Sequence, residues 1–209
     1  NTSTIPISIL AKESIRPSNF IGIHFFSPVH KMKLVEIIKT KTTSLDTLAK
    51  AYDFALCIGK IPIVVNDSRG FYTTRVFERY TSEGMALLYE GNPAELIEST
   101  GKEAGYPVGP LAILDEISIG LAVHIRNQKR LEFQEIGKTL YKQSWDKVLS
   151  IMTKDVKRLG RSDGGGFYEY PESNVKYIWP SLENYFPISK NVLAKREMID
   201  RIIFSQIIE

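Results

Sequence analysis

The run Gly22-Ile23-His24-Phe25-Phe26-Ser27-Pro28, followed by Lys33-Leu34-Val35-Glu36-Ile37-Ile38, constrains this chain more than any other feature. It reads as two successive β-type runs, one carrying an imidazole and the other a carboxylate, 36 − 24 = 12 positions apart. In the second run Leu34, Glu36 and Ile38 share one face while Val35 and Ile37 share the other, by the two-residue period of a strand. Glu36 therefore lies between apolar neighbours. A histidine held by a carboxylate has a fixed tautomer and an imidazolium that forms more readily, which suits it to take a proton near neutral pH. His24 and Glu36 are a catalytic candidate pair on this reasoning. On these two residues alone the other reading is a satisfied core histidine and a rim glutamate that never meet.

The pattern around these runs is α/β up to about residue 66 and helical beyond it. A short helix is predicted over residues 6–14, with strands over 20–26 and 33–39. Thr43 and Asp46 resemble a capping box, opening a helix that carries Leu45, Leu48, Ala49, Tyr52 and Leu56 toward Gly59. Residues 61–65 read as a short strand that Pro62 favours at an edge. After Gly70 a long helix is predicted over 71–89. Asn92-Pro93 reads as a cap followed by proline at the first helical position, and Pro110 opens a helix running toward His124. A later helix spans 133–152, the glycines at 164–166 mark a turn, and 171–187 is an irregular connector with Trp179 as packing anchor.

Composition excludes several classes of function. With 43% hydrophobic residues in 209, the chain can bury a core. Its formal charge of +3 comes from basic residues that are spread out, not clustered, so nucleic acid is not an expected partner. No apolar run reaches the ~18 residues that a membrane helix requires, and no basic-then-apolar leader opens the chain. Cys57, the single cysteine, sits in an apolar helical pattern and is expected to be a buried, inert thiol. His24, His30 and His124 lack ligand spacing with cysteines or carboxylates, so no metal is expected. Neither Gly-x-Gly-x-x-Gly nor a P-loop occurs, so a dinucleotide pyrophosphate would have to be cradled by sequence upstream. The start at Asn1, inside a strand-to-loop junction, and the stop soon after Ile207-Ile208 read as truncations of a longer polypeptide.

The string GIHFFSPVHKMKLVEII resembles the catalytic stretch of the 3-hydroxyacyl-CoA dehydrogenases of fatty acid β-oxidation. Four other stretches match that family in order. Asn1-Thr2-Ser3 is similar to the end of its cofactor domain, and Asn66-Asp67-Ser68-Arg69-Gly70-Phe71 to the opening of its helical domain. Gly105-Tyr106-Pro107-Val108-Gly109-Pro110 is similar to its helix-to-helix turn, and Gly160-Arg161 with Gly166-Phe167-Tyr168-Glu169-Tyr170 to the element that closes its first helical unit.

The resemblance implies the α/β tail of a Rossmann-type NAD-binding domain over 1–66 and a helical domain like the C-terminal domain of 6-phosphogluconate dehydrogenase over 67–187. Residues 188–209 would begin a second, truncated helical repeat. The equal interval from Arg75 to Glu83 and from Arg201 to Glu209 hints at the same repeat. His24 would be the base that takes the 3-hydroxyl proton, and Glu36 would orient its ring. Ser3, 24 − 3 = 21 positions earlier, would hold the C3 oxygen, and Ser27 would stand beside the nicotinamide where many relatives carry asparagine. Thr74 is a departure. It occupies the position of an asparagine whose amide serves the substrate carbonyl, and a hydroxyl cannot bridge two groups as an amide does. His30 and Arg75 are taken as structural.

NAD is the cofactor so implied and an acyl-CoA the substrate. A homodimer or a β-oxidation complex is the implied assembly, and the bacterial cytoplasm or an organelle matrix, not the exterior, the implied location. Two competitors stand beside this reading: a non-catalytic helical assembly module, favoured by Thr74, and a related dehydrogenase of another β-hydroxy acid.

Overall fold

The computed structural model describes residues 3, 5–172 and 175–209. The chain divides into two compact units, the first ending at Val76 and the second beginning at Phe77.

In the first unit a short helix, α1 (Ile7–Ala11), precedes β1 (Gly22–Phe25), β2 (Leu34–Lys39), α2 (Leu45–Cys57) and β3 (Ile61–Asn66). β1 pairs antiparallel with β2, and β2 pairs parallel with β3, so α2 is the crossover that a parallel pair requires. β3 lies at the edge of the sheet, where Pro62 costs no ladder bond. β2 is covered on both faces: Val35 and Ile37 pack with Ala51 and Ala55 of α2, and Ile38 packs with Ile7 and Phe71. Each valine, isoleucine or phenylalanine buried this fully contributes ~1.5–3 kcal/mol. Gly22 allows that second face to close, because a Cβ there would lie 2.6 Å from the Ile7 side chain. Asp67 caps α1, its carboxylate accepting from Ile7 N and Ser8 N at 2.8 Å each. Phe71 thus packs with the sheet, and the unit extends past residue 66 into the start of the next helix.

Several local expectations are corrected in this unit. The cap of α2 is Ser44, whose hydroxyl accepts from Thr47 N at 3.2 Å. Thr43 instead donates to Phe20 O and accepts from Thr40 N. The helix also turns a narrower stripe inward than its large residues suggest. Ala51 and Ala55 are buried while Leu45, Tyr52 and Leu56 are exposed, because the sheet approaches closely where the side chains are small. Cys57 follows that outer face and is exposed, not buried.

The second unit contains most of α3 (Thr73–Tyr89), then α4 (Ala94–Glu103), α5 (Pro110–Ile117), α6 (Ile119–Glu135) and α7 (Ser144–Ser150). A small antiparallel pair, β4 (Tyr168–Glu169) with β5 (Tyr177–Ile178), is followed by α8 (Leu182–Tyr185) and α9 (Lys195–Ile207). One core joins Tyr80, Leu87, Ile97, Leu111, Phe167 and Met198, with Ile202 of α9 beside them. Residues 188–209 therefore share a core with the helices before them. α3 begins two residues later than expected, and α4 starts at Ala94 with Pro93 at its cap position. Asn92 is buried and clamps two segments, donating to Leu87 O and accepting from Leu193 N.

The helix from Pro110 breaks at Ser118 (φ 81°), where Leu159 O accepts from Ile119 N at 2.8 Å and from the Ser118 hydroxyl. The helix expected over 133–152 is two elements. Gly137 (φ 69°) stops α6, and a capping box of Gln143 and Asp146 opens α7, which runs into a wide turn over Ile151–Asp155. The connector over 171–187 holds β5 and α8. Trp179 packs against the core there, stacked on Tyr185 and under the Arg158 guanidinium.

Two buried carboxylates fasten this unit. Glu98 accepts from Leu111 N at 2.7 Å, from Ala112 N and from the Tyr168 hydroxyl at 2.8 Å. Asp115 accepts from Phe167 N and Tyr168 N at 2.9 Å each and from the Tyr170 hydroxyl at 3.1 Å. A Cβ on Gly166 would lie 1.9 Å from Asp115 Oδ1, so the Gly-Phe-Tyr-Glu-Tyr stretch needs its glycine to reach this carboxylate.

Candidate active site

The antiparallel register of β1 and β2 sets His24 directly opposite Glu36. Their twelve-residue separation is thus spent on one strand pair and its connecting loop. His24 Nδ1 lies 2.7 Å from Glu36 Oε2. The glutamate side chain is fully buried, and that of the histidine is 14% exposed. Edge contacts to Phe26 at 4.8 Å and Phe71 at 5.6 Å between ring centroids hold the imidazole from its sides. A carboxylate oxygen at Nδ1 assigns the proton to that nitrogen, which makes Nε2 the acceptor in the neutral ring. Among the described residues no protein group bonds Nε2.

The second carboxylate oxygen is held as firmly. Glu36 Oε1 accepts from Tyr72 N at 3.0 Å and from Thr73 N at 2.8 Å, the backbone donors at the start of α3. A helix amino terminus favours a negative charge, and these bonds are charge-assisted. The chain reaches this position through a left-handed pair, Gly70 (φ 77°) and Phe71 (φ 47°). For phenylalanine that conformation costs on the order of 1 kcal/mol, which the burial of its ring against Ile7 and Ile38 offsets. One buried carboxylate therefore fixes both the tautomer of His24 and the origin of α3.

The other sequence-derived candidates belong to the same unit. Ser3 accepts through its carbonyl from Gly70 N at 2.7 Å, which ties it to the Gly70-Phe71 turn. Thr74 lies in the first turn of α3, half-buried, its Cβ and Cγ2 3.6 Å from where a Cβ on Gly70 would stand. Ser27 is exposed just beyond the end of β1. His30 is exposed. Asn1 and Thr2 lie outside the described residues. No group of three or more His, Cys, Asp or Glu among the described residues could hold a metal ion.

Sequence reasoning missed the amides of Tyr72 and Thr73, because main-chain donors carry no residue signature. The Gly70-Phe71 step before a helix was the signal that could have found them. The Thr73 hydroxyl is buried without a hydrogen-bond partner among the described residues.

Comparison with known proteins gives consistent results. Residues 1–68 match the family model described as 3-hydroxyacyl-CoA dehydrogenase, NAD binding domain, and residues 70–170 match 3-hydroxyacyl-CoA dehydrogenase, C-terminal domain. The chain is similar to the fatty acid oxidation complex subunit alpha of Shewanella baltica (strain OS185), with 42% identity over 84% of this chain and 24% of that protein. The same subunit of Vibrio cholerae serotype O1 is 39% identical over 87% of this chain and 25% of its own length. The chain thus spans about a quarter of the length of these relatives. Among solved structures, (S)-3-hydroxybutyryl-CoA dehydrogenase from Ralstonia eutropha superposes with a TM-score of 0.70 at 32% identity, over 82% of this chain and 59% of that one.

Proposed function

The chain belongs to the 3-hydroxyacyl-CoA dehydrogenase family, and on that premise we propose that its polypeptide oxidises (S)-3-hydroxyacyl-CoA to 3-oxoacyl-CoA with NAD in fatty acid β-oxidation. The observation that carries this reading is His24 Nδ1 on the buried Glu36 carboxylate at 2.7 Å, with Nε2 left as an acceptor. In the reaction the 3-hydroxyl proton passes to Nε2 as the C3–O bond becomes a carbonyl. Glu36 keeps Nδ1–H in place and stabilises the imidazolium that results, the role that a buried carboxylate plays in hydrolase triads. Ser3 holds the C3 oxygen toward the base, and Thr74 donates one hydrogen bond toward the thioester carbonyl.

The residues present fit one end of the cofactor. The exposed Ser27 hydroxyl beyond β1 suits a carboxamide partner, whereas no Gly-x-Gly-x-x-Gly sequence occurs in the 209 residues to cradle a pyrophosphate. When bound, NAD supplies the hydride acceptor.

The relatives are named as alpha subunits of a fatty acid oxidation complex, which supports assignment of this chain to a multifunctional β-oxidation protein with partner subunits or a second copy. No helix among the described residues is long and apolar enough to cross a membrane. The relatives, bacterial fatty acid oxidation subunits, support the cytoplasm or an organelle matrix as the proposed location. The test is NADH formation from (S)-3-hydroxybutyryl-CoA by the full-length polypeptide. Turnover is expected; NADH formation absent at every substrate concentration would favour the assembly-module alternative.

A further inference from the structure

Residues 27–33, which join the strand of His24 to that of Glu36, are all exposed. They contain one tight turn, in which Lys31 N and Met32 N both donate to Pro28 O at 2.9 and 3.0 Å. The turn is held from outside by Lys60, whose Nζ donates to Val29 O and, at 2.8 Å, to Met32 O. A compact ammonium on a flexible stem is suited to gather two carbonyls, and a cation at the open carbonyl end of a turn is favourable.

The placement of Lys60 follows from the end of α2. Gly59 adopts the left-handed conformation (φ 73°) and Lys60 N returns to Ala55 O at 3.0 Å, the bond that closes a helix carboxyl terminus. The chain then turns directly into β3, and Ile61 N donates to Lys33 O at 2.9 Å. Side chain and main chain of adjacent residues therefore hold the middle and the carboxyl end of the same loop.

We propose that Lys60 is a positioning residue for cofactor binding: by gathering the carbonyls of Val29 and Met32 it fixes the loop that begins at Ser27, and so the position of the Ser27 hydroxyl. The inference rests on the dehydrogenase reading and on Ser27 as a nicotinamide contact.

The readout is the dissociation constant for NAD, measured by calorimetry on the full-length polypeptide, which requires no turnover. Lys60→Met is expected to weaken NAD binding about tenfold, the effect of losing charge-assisted hydrogen bonds in part. Lys60→Arg, which can span both carbonyls, is expected to restore it to within about threefold. In a Ser27→Ala background Lys60→Met should add nothing further, because the loop acts through that hydroxyl. A Lys60→Met variant that binds NAD as the unaltered protein does, or one that weakens binding equally with and without Ser27, overturns the proposal. An unaltered protein that neither binds NAD nor forms NADH overturns the dehydrogenase reading and this proposal with it. One that binds NAD and responds to Lys60→Met, yet does not oxidise the substrate, contradicts the reaction alone.

Discussion

His24 and Glu36 face each other across an antiparallel strand pair with 2.7 Å between Nδ1 and Oε2, and the same carboxylate receives the first amides of α3 through its other oxygen. Base orientation and helix origin are thereby the same structural fact. Each of the two oxygens has an obligatory donor.

That shared role predicts the outcome of Glu36→Gln. An amide offers one acceptor oxygen; kept on the amides of Tyr72 and Thr73, which can only donate, it turns its NH₂ to His24 Nδ1, so that Nδ1 accepts and the ring proton moves to Nε2, where it blocks the base. Turnover of the full-length protein is expected to fall by roughly 10²- to 10⁴-fold, as when a base loses its orienting carboxylate. Stability should fall by ~1–2 kcal/mol, because the charge-assisted bonds from Tyr72 N and Thr73 N become neutral ones. Denaturant melts and steady-state kinetics measure both. A variant that loses turnover without loss of stability would separate the two functions assigned to this carboxylate.

Much of the α/β half was legible in the sequence because strand alternation and glycine stops are local signals. The runs around His24 and Glu36, the Gly59 stop and the edge position of Pro62 are of this kind. The inward face of α2 was not legible, since burial there follows the close approach of Ala51 and Ala55 to the sheet and not the size of Leu45, Tyr52 or Leu56. The break at Ser118 was hidden for a similar reason: a carbonyl 41 residues away, Leu159 O, decides it. In the site, spacing and resemblance indicated the pair, but the amides that hold Glu36 are properties of the backbone.

Thr73 gives a stability prediction. Its hydroxyl is buried without a partner among the described residues, and valine has nearly the same shape. Thr73→Val is expected to stabilise the protein by ~1 kcal/mol, read as a raised thermal midpoint. A lowered midpoint would show that the hydroxyl has a partner in solution.

Thr74→Asn tests the departure from the family pattern. If this position serves the substrate carbonyl through a single hydrogen bond, the amide is expected to hold or raise kcat/KM of the full-length protein. A lower kcat/KM would show that the threonine has chemistry of its own.

Asp115 gives the pH dependence. Burial pushes its carboxyl up to about 6 from an ordinary 3.8, with the bonds from Phe167, Tyr168 and Tyr170 and the nearby Arg158 opposing the shift only in part. A carboxyl raised on folding contributes stability that is fully present below its unfolded value and is lost as pH rises through about 6. The helical unit is therefore expected to lose stability between roughly pH 4 and 6.5 on account of this group. Asp115→Asn should flatten that slope in a series of denaturant melts, and an unchanged slope would assign the titration to another residue.

The central claim is that His24 takes the substrate proton while other residues hold the cofactor. The most direct measurement is 3-hydroxyacyl-CoA oxidation by the full-length His24→Ala protein alongside its affinity for NAD. Turnover is expected to fall by roughly 10²- to 10⁴-fold with the NAD dissociation constant nearly unchanged, because the base acts in the transition state. Near-normal oxidation by His24→Ala would contradict the mechanism.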